Sequence, residues 1–563
     1  MQNVIYLLLR RMRLPLIVLI ATYSISILGL VLIPGIDPQG NPWRMDFFHA
    51  TYFVSFLGST IGFGEIPYPF TAAQRMWTLL IIYAAVFSWL YAIGSILTLI
   101  QDPAVRRVLS WSLFSRKVRA RQEPFYLICG YGDAGSWLVR ELTERGFHCV
   151  VIEADQSKIL GLQVEDLHDD VPGLGADATD AGALLAAGLK HPACRGVVCL
   201  TGEDHANLTI AITSKLLAPD VPVICQSDTH DAADNMASFG TDHVVDPFLI
   251  FASRFAMLFH SPSMYLIYEW MTAVHNAPLT EHKKPPAGTW ILCGFGRFGK
   301  AVRHYLSLEG IETRVVEADI DLTQAPPDTV EGRGTEADTL LEAGVKEAAG
   351  IIAGTDNDSN NLSILITARD LNPELFTAAR QNHRRNDAIF KAADIDLIMQ
   401  PETIAAQHIL GLILAPLLDD FLRLANEKDE QWANVLVSRV AGVVDECAPE
   451  TWDFAISPQQ TPAVFQCLFR EHEVTLGHIC SDPSDQSHSL RCVPLLLKRD
   501  DTCHLLPDND QRLSDGDRLL FCGRKDAKEH MDYVLHDCQA LDYVRTGIDR
   551  PSGVIWRWLT LKS

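Results

Sequence analysis

The stretch Trp290-Ile291-Leu292-Cys293-Gly294-Phe295-Gly296-Arg297-Phe298-Gly299 decides the fold of the larger part of this chain. Four apolar residues lead into Gly-x-Gly-x-x-Gly, and the acidic residue Glu317 stands 23 positions after Gly294. This order predicts the strand, tight turn and helix of a dinucleotide-binding α/β fold. Gly294, Gly296 and Gly299 would let a phosphate approach the backbone at the helix start, and Glu317 suits a ribose 2′-hydroxyl better than a 2′-phosphate.

The same pattern stands 164 residues earlier, in Phe125-Tyr126-Leu127-Ile128-Cys129-Gly130-Tyr131-Gly132-Asp133-Ala134-Gly135, and Glu153 follows it as the acid. A second block repeats at an offset of 154 residues, where Asn207 corresponds to Asn361. Two collinear blocks indicate an internal duplication. We therefore predict two Rossmann-like domains in tandem, each with its own glycine loop. The glycines of the first loop are Gly130, Gly132 and Gly135.

The two loops differ in charge. The arginines in or near the second site are Arg297, Arg333 and Arg380. Because a guanidinium pairs well with phosphate, we expect an adenine nucleotide, NAD or ADP, to bind the second copy. The first loop carries Asp133 instead, and Asp177 stands near the position of Arg333. These two carboxylates leave several readings open: an empty site, a weaker nucleotide site, a divalent cation such as Ca²⁺, or ordinary helix capping and turns.

The first 100 residues have a different composition from the rest. Leu14–Ile33 and Met76–Ile100 are uncharged runs of 20 and 25 residues. Each is long enough to cross the hydrocarbon layer as a helix, and no Ala-x-Ala cleavage pattern follows the first. Lys and Arg flank the outer ends of this pair, whereas residues 34–75 between the runs contain only Arg44 and Arg75. The bias predicts a multi-pass protein of the inner membrane with both termini cytoplasmic.

The overall composition narrows the classes of partner. The formal charge is −23, and such an acidic chain is a poor binder of nucleic acid, because phosphate contacts need clustered Lys and Arg. All 13 cysteines lie at or beyond Cys129, and no Cys-x-x-Cys pair occurs. This usage indicates reduced thiols in the cytosol rather than a disulfide framework or a thiolate zinc site.

Between the two apolar runs lies a stretch that is too short to span. Asp46–Gly58 is apolar and aromatic, and Thr60-Ile61-Gly62-Phe63-Gly64 follows it after one residue. Irregular backbone at membrane depth is tolerated only inside protein or along a water-filled path. Gly62 and Gly64 can adopt positive φ, so that successive carbonyls point the same way. Four such strands around an axis would form rings of oxygens that replace the water shell of K⁺, with the Thr60 hydroxyl in the innermost ring.

Span, short helix, Thr-Ile-Gly-Phe-Gly and span together resemble a two-transmembrane potassium channel. This sequence departs from the usual pattern at Phe63, where Tyr is commoner, and its pore helix has Phe53 and Phe56 and no Trp. We expect the filter to be held by apolar packing instead of hydroxyl bonds. The second span lines the pore in this family. Gly94 marks either its bend or a close helix contact, and Leu97 is a candidate for an apolar gate.

A pore followed by two such α/β domains resembles the prokaryotic potassium channels with tandem RCK (regulator of K⁺ conductance) domains. The resemblance implies a homotetramer in the lipid bilayer whose cytosolic ring gates the pore. It also implies helix–turn–helix crossovers, for which Pro247–Val274 and Pro401–Ala425 are the candidates. We thus expect an all-α pore domain at 1–100, a linker at 101–124, a first RCK domain at 125–287, a second Rossmann-like half at 288–430 and a small α+β subdomain at 431–563.

Two other functions fit parts of the sequence. A membrane-anchored NAD-dependent oxidoreductase would need a proton donor or acceptor beside the nicotinamide, and the 19 histidines form no recognisable catalytic constellation. A regulatory subunit of another transporter would not need its own pore. Neither explains Thr60–Gly64, so we expect a ligand-gated channel and no enzyme. The sequence leaves open which nucleotide or cation gates the channel and whether it activates or inhibits.

Overall fold

The computed structural model of the chain describes residues 2–62, 64–273, 283–444, 447–500 and 502–548. Phe63 of the predicted filter and Val274 at the end of the first predicted crossover lie outside these ranges. The chain forms two compact units, Met1–Arg121 and Gln122–Ser563.

The first unit is helical. Its helices are α1 (Gln2–Leu32), α2 (Phe47–Gly58), α3 (Ala72–Gln101) and α4 (Pro103–Arg119). Two short strands, β1 (Gly35–Ile36) and β2 (Pro42–Trp43), pair antiparallel between α1 and α2. Two stretches, Met12–Leu32 and Ala72–Thr98, are long and apolar enough to cross a membrane by length and composition. α2 packs against both α1 and α3. The segment expected to be a linker contains helix α4, with three basic residues in its last turn.

The second unit begins with a six-stranded parallel sheet in the order β5-β4-β3-β6-β7-β8. Its strands are β3 (Phe125–Cys129), β4 (His148–Glu153), β5 (Gly173–Gly175), β6 (Cys194–Cys199), β7 (Val223–Gln226) and β8 (His243–Val245). The helices that alternate with them are α5 (Asp133–Glu144), α6 (Gln156–Val164), α7 (Ala181–Ala186), α8 (Asp204–Leu217) and α9 (His230–Ser238). This is the doubly wound order in which the first strand sits at the centre of the sheet.

The second copy repeats this order with β11-β10-β9-β12-β13-β14. Its strands are β9 (Trp290–Cys293), β10 (Thr313–Glu317), β11 (Val330–Glu331), β12 (Gly350–Ala353), β13 (Phe376–Arg380) and β14 (Leu397–Met399). Its helices are α12 (Arg297–Leu308), α13 (Ile320–Thr323), α14 (Ala337–Glu342), α15 (Asp358–Leu371), a 3₁₀ turn (Arg384–Asn386) and α16 (Asp387–Ala392). The predicted tandem of Rossmann-like domains is confirmed.

Each copy ends in a helix–turn–helix, and the two copies exchange these helices. The crossovers are α10 (Pro247–His260) with α11 (Pro262–Thr272), and α17 (Pro401–Leu414) with α18 (Leu417–Ala425). α10 of the first copy packs on α12 of the second, and α17 of the second packs on α5 of the first. Phe255 of α10 accordingly shares a core with Trp290, their rings 5.3 Å apart. The exchange makes the two copies one packed body.

The C-terminal part is a smaller antiparallel sheet in the order β15-β20-β18-β19. Its strands are β15 (Glu450–Ala455), β18 (Cys492–Arg499), β19 (Thr502–Leu505) and β20 (Arg518–Gly523), beside the hairpin β16 (Ser481–Asp482) and β17 (Asp485–Ser489). The helices are α19 (Glu430–Ala441), α20 (Pro462–Phe469), α21 (Leu476–Ile479), α22 (Lys525–His536) and α23 (Cys538–Thr546). This is the small α+β subdomain expected from the sequence.

Candidate functional site

The loop after α2 has the backbone that the glycines predict. Asp46 caps the helix, because its carboxylate accepts a hydrogen bond from the His49 backbone N–H at 2.7 Å. After Gly58 the chain enters the loop with φ of 60° at Thr60, 68° at Gly62 and 97° at Gly64. The last two values lie in the left-handed region that favours glycine. The positive φ at Thr60 was not foreseen.

Aromatic packing and one ion pair hold this loop. The Phe53 ring lies 5.0 Å from those of Phe56 and Phe70, and all three side chains are buried. After the loop, the Glu65 carboxylate accepts hydrogen bonds from Arg75 Nε at 2.8 Å and Nη2 at 3.1 Å, and from the Phe70 backbone N–H at 2.8 Å. Aromatic packing thus lies beside the loop, and Arg75, which the sequence reasoning missed, ties Glu65 to α3. That packing holds the filter in place of hydroxyl bonds stays a prediction.

The two residues predicted for gating lie in an unbroken part of α3. Gly94 and Leu97 are both exposed within one chain. The Gly94 carbonyl accepts a hydrogen bond from the Thr98 hydroxyl at 2.8 Å. The helix runs from Ala72 to Gln101 without interruption. Their roles in bending and closure stay predictions.

The second glycine loop requires glycine at two positions. Gly294 has φ of 97°, and its N–H donates to the Val316 carbonyl at 2.9 Å. A Cβ on Gly299 would lie 2.2 Å from the Gly294 carbonyl oxygen. Gly296 caps α12, which begins at Arg297. The N–H groups at this helix start and its partial positive charge are suited to an anion.

The predicted ribose-binding acids lie beside the loops and bind their backbone. Glu317 accepts hydrogen bonds from the Phe295 N–H at 2.6 Å and the Asp319 N–H at 3.0 Å. In the first copy, the Glu153 carboxylate likewise accepts a hydrogen bond from the Tyr131 N–H at 2.6 Å. A carboxylate offers about four acceptor positions, so this bracing leaves room for a ribose hydroxyl.

Two arginines of the second copy meet on one aromatic ring. The Arg380 and Arg297 guanidiniums lie 4.7 Å and 5.5 Å from the ring centroid of Phe248, and Arg297 Nη2 lies 3.4 Å from an Asp228 oxygen. Within the described ranges Arg380 Nε has no hydrogen-bond partner. Burial, followed by the neighbouring charge of Arg297, lowers the pKa of Arg380. Arg333 lies exposed after β11.

Asp228 and Phe248 belong to the first copy, so residues of one copy complete the surroundings of the other copy's loop. The sequence carried no local signal for either residue. Asp228 follows β7 and Phe248 stands in the first turn of α10. Only the exchange of crossover helices brings them to the second glycine loop.

The first loop has the same shape and the opposite charge. A Cβ on Gly130 would lie 2.2 Å from the Leu200 carbonyl oxygen, and one on Gly135 would lie 2.1 Å from that of Gly130. Gly132 caps α5, whose first residue is Asp133. Burial, and then the negative charges of Asp228 and Asp133, raise the pKa of Glu402 in the facing helix α17 to about 7. The carboxylates of Asp133 and Asp228 disfavour a phosphate at the first loop, where the positive charge of Lys158 beside Gly132 opposes them.

The divalent-cation prediction gains no support from the geometry. The Asp177 carboxylate accepts hydrogen bonds from the Thr179 N–H at 2.8 Å and hydroxyl at 2.7 Å, which is turn chemistry. Asp133 accepts a long contact from the Arg384 N–H at 3.4 Å. Among the residues that the structure describes, no group of three or more His, Cys, Asp or Glu could hold a metal ion.

Comparisons with known proteins match the same parts of the chain. The family model described as "Ion channel" matches residues 16–102, and that of the TrkA-N domain matches 126–247 and 290–401. Potassium channel protein 1 of Methanocaldococcus jannaschii is 23% identical over 311 residues, which cover 54% of this chain and 87% of the relative. A Trk system potassium uptake protein TrkA homolog of Pyrococcus abyssi is 28% identical over 142 residues, covering 23% of this chain and 63% of the relative.

Solved structures also align along the chain. The structure described as "GsuK channel bound to NAD" is 16% identical and covers 95% of this chain and 99% of its own, with a TM-score of 0.46. The human SLO3 gating ring is 8% identical and covers 71% of this chain and 99% of its own, with a TM-score of 0.35.

Proposed function

We propose that this chain, a prokaryotic potassium channel with an ion channel domain and tandem TrkA-N (RCK) domains, conducts K⁺ as a homotetramer gated by an adenine nucleotide. The pore half of the proposal rests on the loop after α2. Its positive φ values at Gly62 and Gly64 suit a strand of aligned carbonyls, and the C-terminal end of α2 carries partial negative charge that favours a cation. Thr60, Ile61, Gly62, Phe63 and Gly64 are the proposed filter.

Four chains are needed, because one strand supplies only a quarter of each carbonyl ring. Reversal potentials in opposed K⁺ and Na⁺ gradients test the filter directly. We expect a reversal potential close to the K⁺ equilibrium potential. Equal permeability to K⁺ and Na⁺ would refute the proposed filter. Chemical cross-linking of the purified chain in lipid nanodiscs tests the tetramer separately.

The proposed location is the inner membrane, with both termini cytoplasmic. The Lys and Arg bias around the two spans supports this orientation. A cysteine placed at Asn41, between the spans, should react with an impermeant thiol reagent in intact cells. Cys538, an exposed thiol of the second unit, should react only after lysis. Labelling of Cys538 in unbroken cells would contradict the orientation.

The nucleotide half rests on one observation: Arg297 and Arg380 converge beside the second glycine loop, and Arg380 Nε lacks a partner among the described residues. A phosphate there would meet free N–H groups, the helix dipole and two guanidiniums together. Glu317 would take a ribose hydroxyl, and Arg333 is a further proposed phosphate contact. NAD and ADP both carry this chemistry.

Gating requires that the nucleotide bind the open and closed rings with different affinities, since a ligand that binds both equally shifts nothing. A coupling of roughly 1–3 kcal/mol changes the open probability several-fold or more. Planar-bilayer recording, with NAD, NADH, ADP and Ca²⁺ added one at a time to the cytosolic side, tests this. A change in open probability with a nucleotide is expected. Gating by Ca²⁺ alone would move the ligand site to the first copy.

A further inference from the structure

A cavity of about 330 Å³ lies between the two TrkA-N copies, and none of its lining residues belongs to a glycine loop. One wall is the first crossover, α10 and α11, and the other is formed by β14 and α17 of the second copy. Its volume is within the range of pockets that hold small molecules. The apolar part of the wall comprises Phe251, Phe255, Trp270, Leu397 and Ile404.

Arg254 is the unusual member of this wall. Its fractional exposure is 8%, and the guanidinium lies 4.0 Å from the ring centroid of Tyr268. Within the described part of the chain, neither Nε nor Nη2 has a hydrogen-bond partner. Trp270, which lines the same cavity, likewise has a buried indole N–H without a described partner. Three donor nitrogens on two neighbouring helices thus lack a described partner at one cavity.

Among the residues that the structure describes, no carboxylate forms an ion pair with Arg254. Burial, and then the positive charge of Arg254, lower the pKa of His408 to about 3, so that its ring is neutral at physiological pH. The Glu269 carboxylate, also at the cavity, accepts a hydrogen bond from the Tyr265 hydroxyl. A buried guanidinium with unused donors is costly unless an anion meets it.

We infer that this cavity binds a small anion, a carboxylate or inorganic phosphate, through the Arg254 guanidinium and the Trp270 indole N–H. The aromatic side chains around Arg254 lower the local dielectric and so strengthen the charge-assisted hydrogen bonds. Because the cavity has one wall in each copy, an anion that prefers one arrangement of the copies shifts the equilibrium between them. The residues that would bind this anion, Arg254 and Trp270, are separate from those of the proposed nucleotide site.

Titration calorimetry on the full chain in nanodiscs tests the inference, with inorganic phosphate and succinate as separate probes at constant chloride. The measurements use the Arg297→Gln background, which weakens phosphate binding at the second glycine loop, and the comparison of variants within this background reports on the cavity. We expect millimolar or tighter binding of at least one probe. Phosphate alone would identify a phosphate site, and succinate alone a carboxylate site.

Adding Arg254→Gln should weaken binding about tenfold or more, because charge-assisted hydrogen bonds are lost from a buried site. The matched control is Arg195→Gln, an exposed arginine of the same copy, which should bind as the background does. If Arg254→Gln does not fold, Trp270→Phe decides: it keeps the aromatic packing, loses one donor and should bind more weakly. Unchanged affinity in the folded variant, or no binding of either probe, overturns the inference.

Discussion

The Arg297 guanidinium lies 3.4 Å from the carboxylate of Asp228, so an acid of the first copy partly neutralises the arginine beside the second copy's glycine loop. Both side chains are partly exposed, which makes the pair weak and replaceable. A nucleotide phosphate would compete with Asp228 for the same guanidinium. Binding at the second loop is therefore linked to the contact between the copies.

Asp228→Asn should raise the nucleotide affinity of the channel about two- to fivefold, because the competing carboxylate and its repulsion of phosphate are both removed. Calorimetry with ADP and NAD measures this. Asp231→Asn, an exposed acid in the following helix, is the control and should leave the affinity unchanged. Weaker binding by Asp228→Asn would show that Asp228 helps to hold the ligand.

Two glycines of the second loop should respond differently to alanine. Gly299→Ala places a Cβ 2.2 Å from the Gly294 carbonyl oxygen and should cost about 1–3 kcal/mol of stability. Gly296→Ala meets no described atom within 4 Å, so the chain should fold normally. Its methyl group would nevertheless stand where a phosphate must approach the backbone. We expect normal thermal unfolding but several-fold weaker nucleotide binding, and unimpaired binding would exclude this loop as the phosphate site.

Both glycine loops could be predicted from the sequence, because the need for glycine in them arises from neighbouring residues of the same strand, turn and helix. Gly294 and Gly299 are required by a tight turn and a close approach that recur wherever this strand meets this helix. Asp228 and Phe248 could not be predicted, since they reach the second loop only through the exchange of α10 and α17. Arg333 and Arg380 also show that sequence alone does not predict contacts between distant segments. Both were predicted as phosphate-binding residues, but the fold buries only Arg380 next to Arg297 and leaves Arg333 exposed.

Stability should depend on pH through Glu402. Its pKa is about 7 in the folded chain against an ordinary 4.5, so between these values the folded state holds a proton that the unfolded chain has released. Stability from this group is therefore lost as the pH rises through that window, by up to about 1.4 kcal/mol per pH unit. Glu402→Gln should match the parent near pH 4.5 and be more stable at pH 8. If Glu402→Gln and the parent differed in melting temperature by the same amount at both pH values, the raised pKa of Glu402 would be contradicted.

If Thr60–Gly64 is the filter as proposed, Arg75 should weaken the field at its mouth, because it pairs with Glu65 through two hydrogen bonds. Arg75→Gln leaves the carboxylate uncompensated and should raise K⁺ conductance at low ionic strength, by less than about twofold, with the gain vanishing at high salt. Single-channel recording measures this. Arg44→Gln removes an exposed arginine from the same segment between the two spans and serves as the control. A gain that persists in high salt would point to a steric cause.

Arg297→Glu should weaken nucleotide binding about tenfold or more, since it replaces an attractive charge at the phosphate with a repulsive one. The substitution also sets a second carboxylate against that of Asp228, and Asp228→Asn in the same chain should recover part of the loss. Single-channel conductance should stay unchanged, because the filter is untouched, while the nucleotide concentration needed for gating rises. Calorimetry and bilayer recording on the same preparations separate binding from conduction. If Arg297→Glu bound every adenine nucleotide as tightly as the parent, the nucleotide would have to bind elsewhere, and the first glycine loop would be the next site to test.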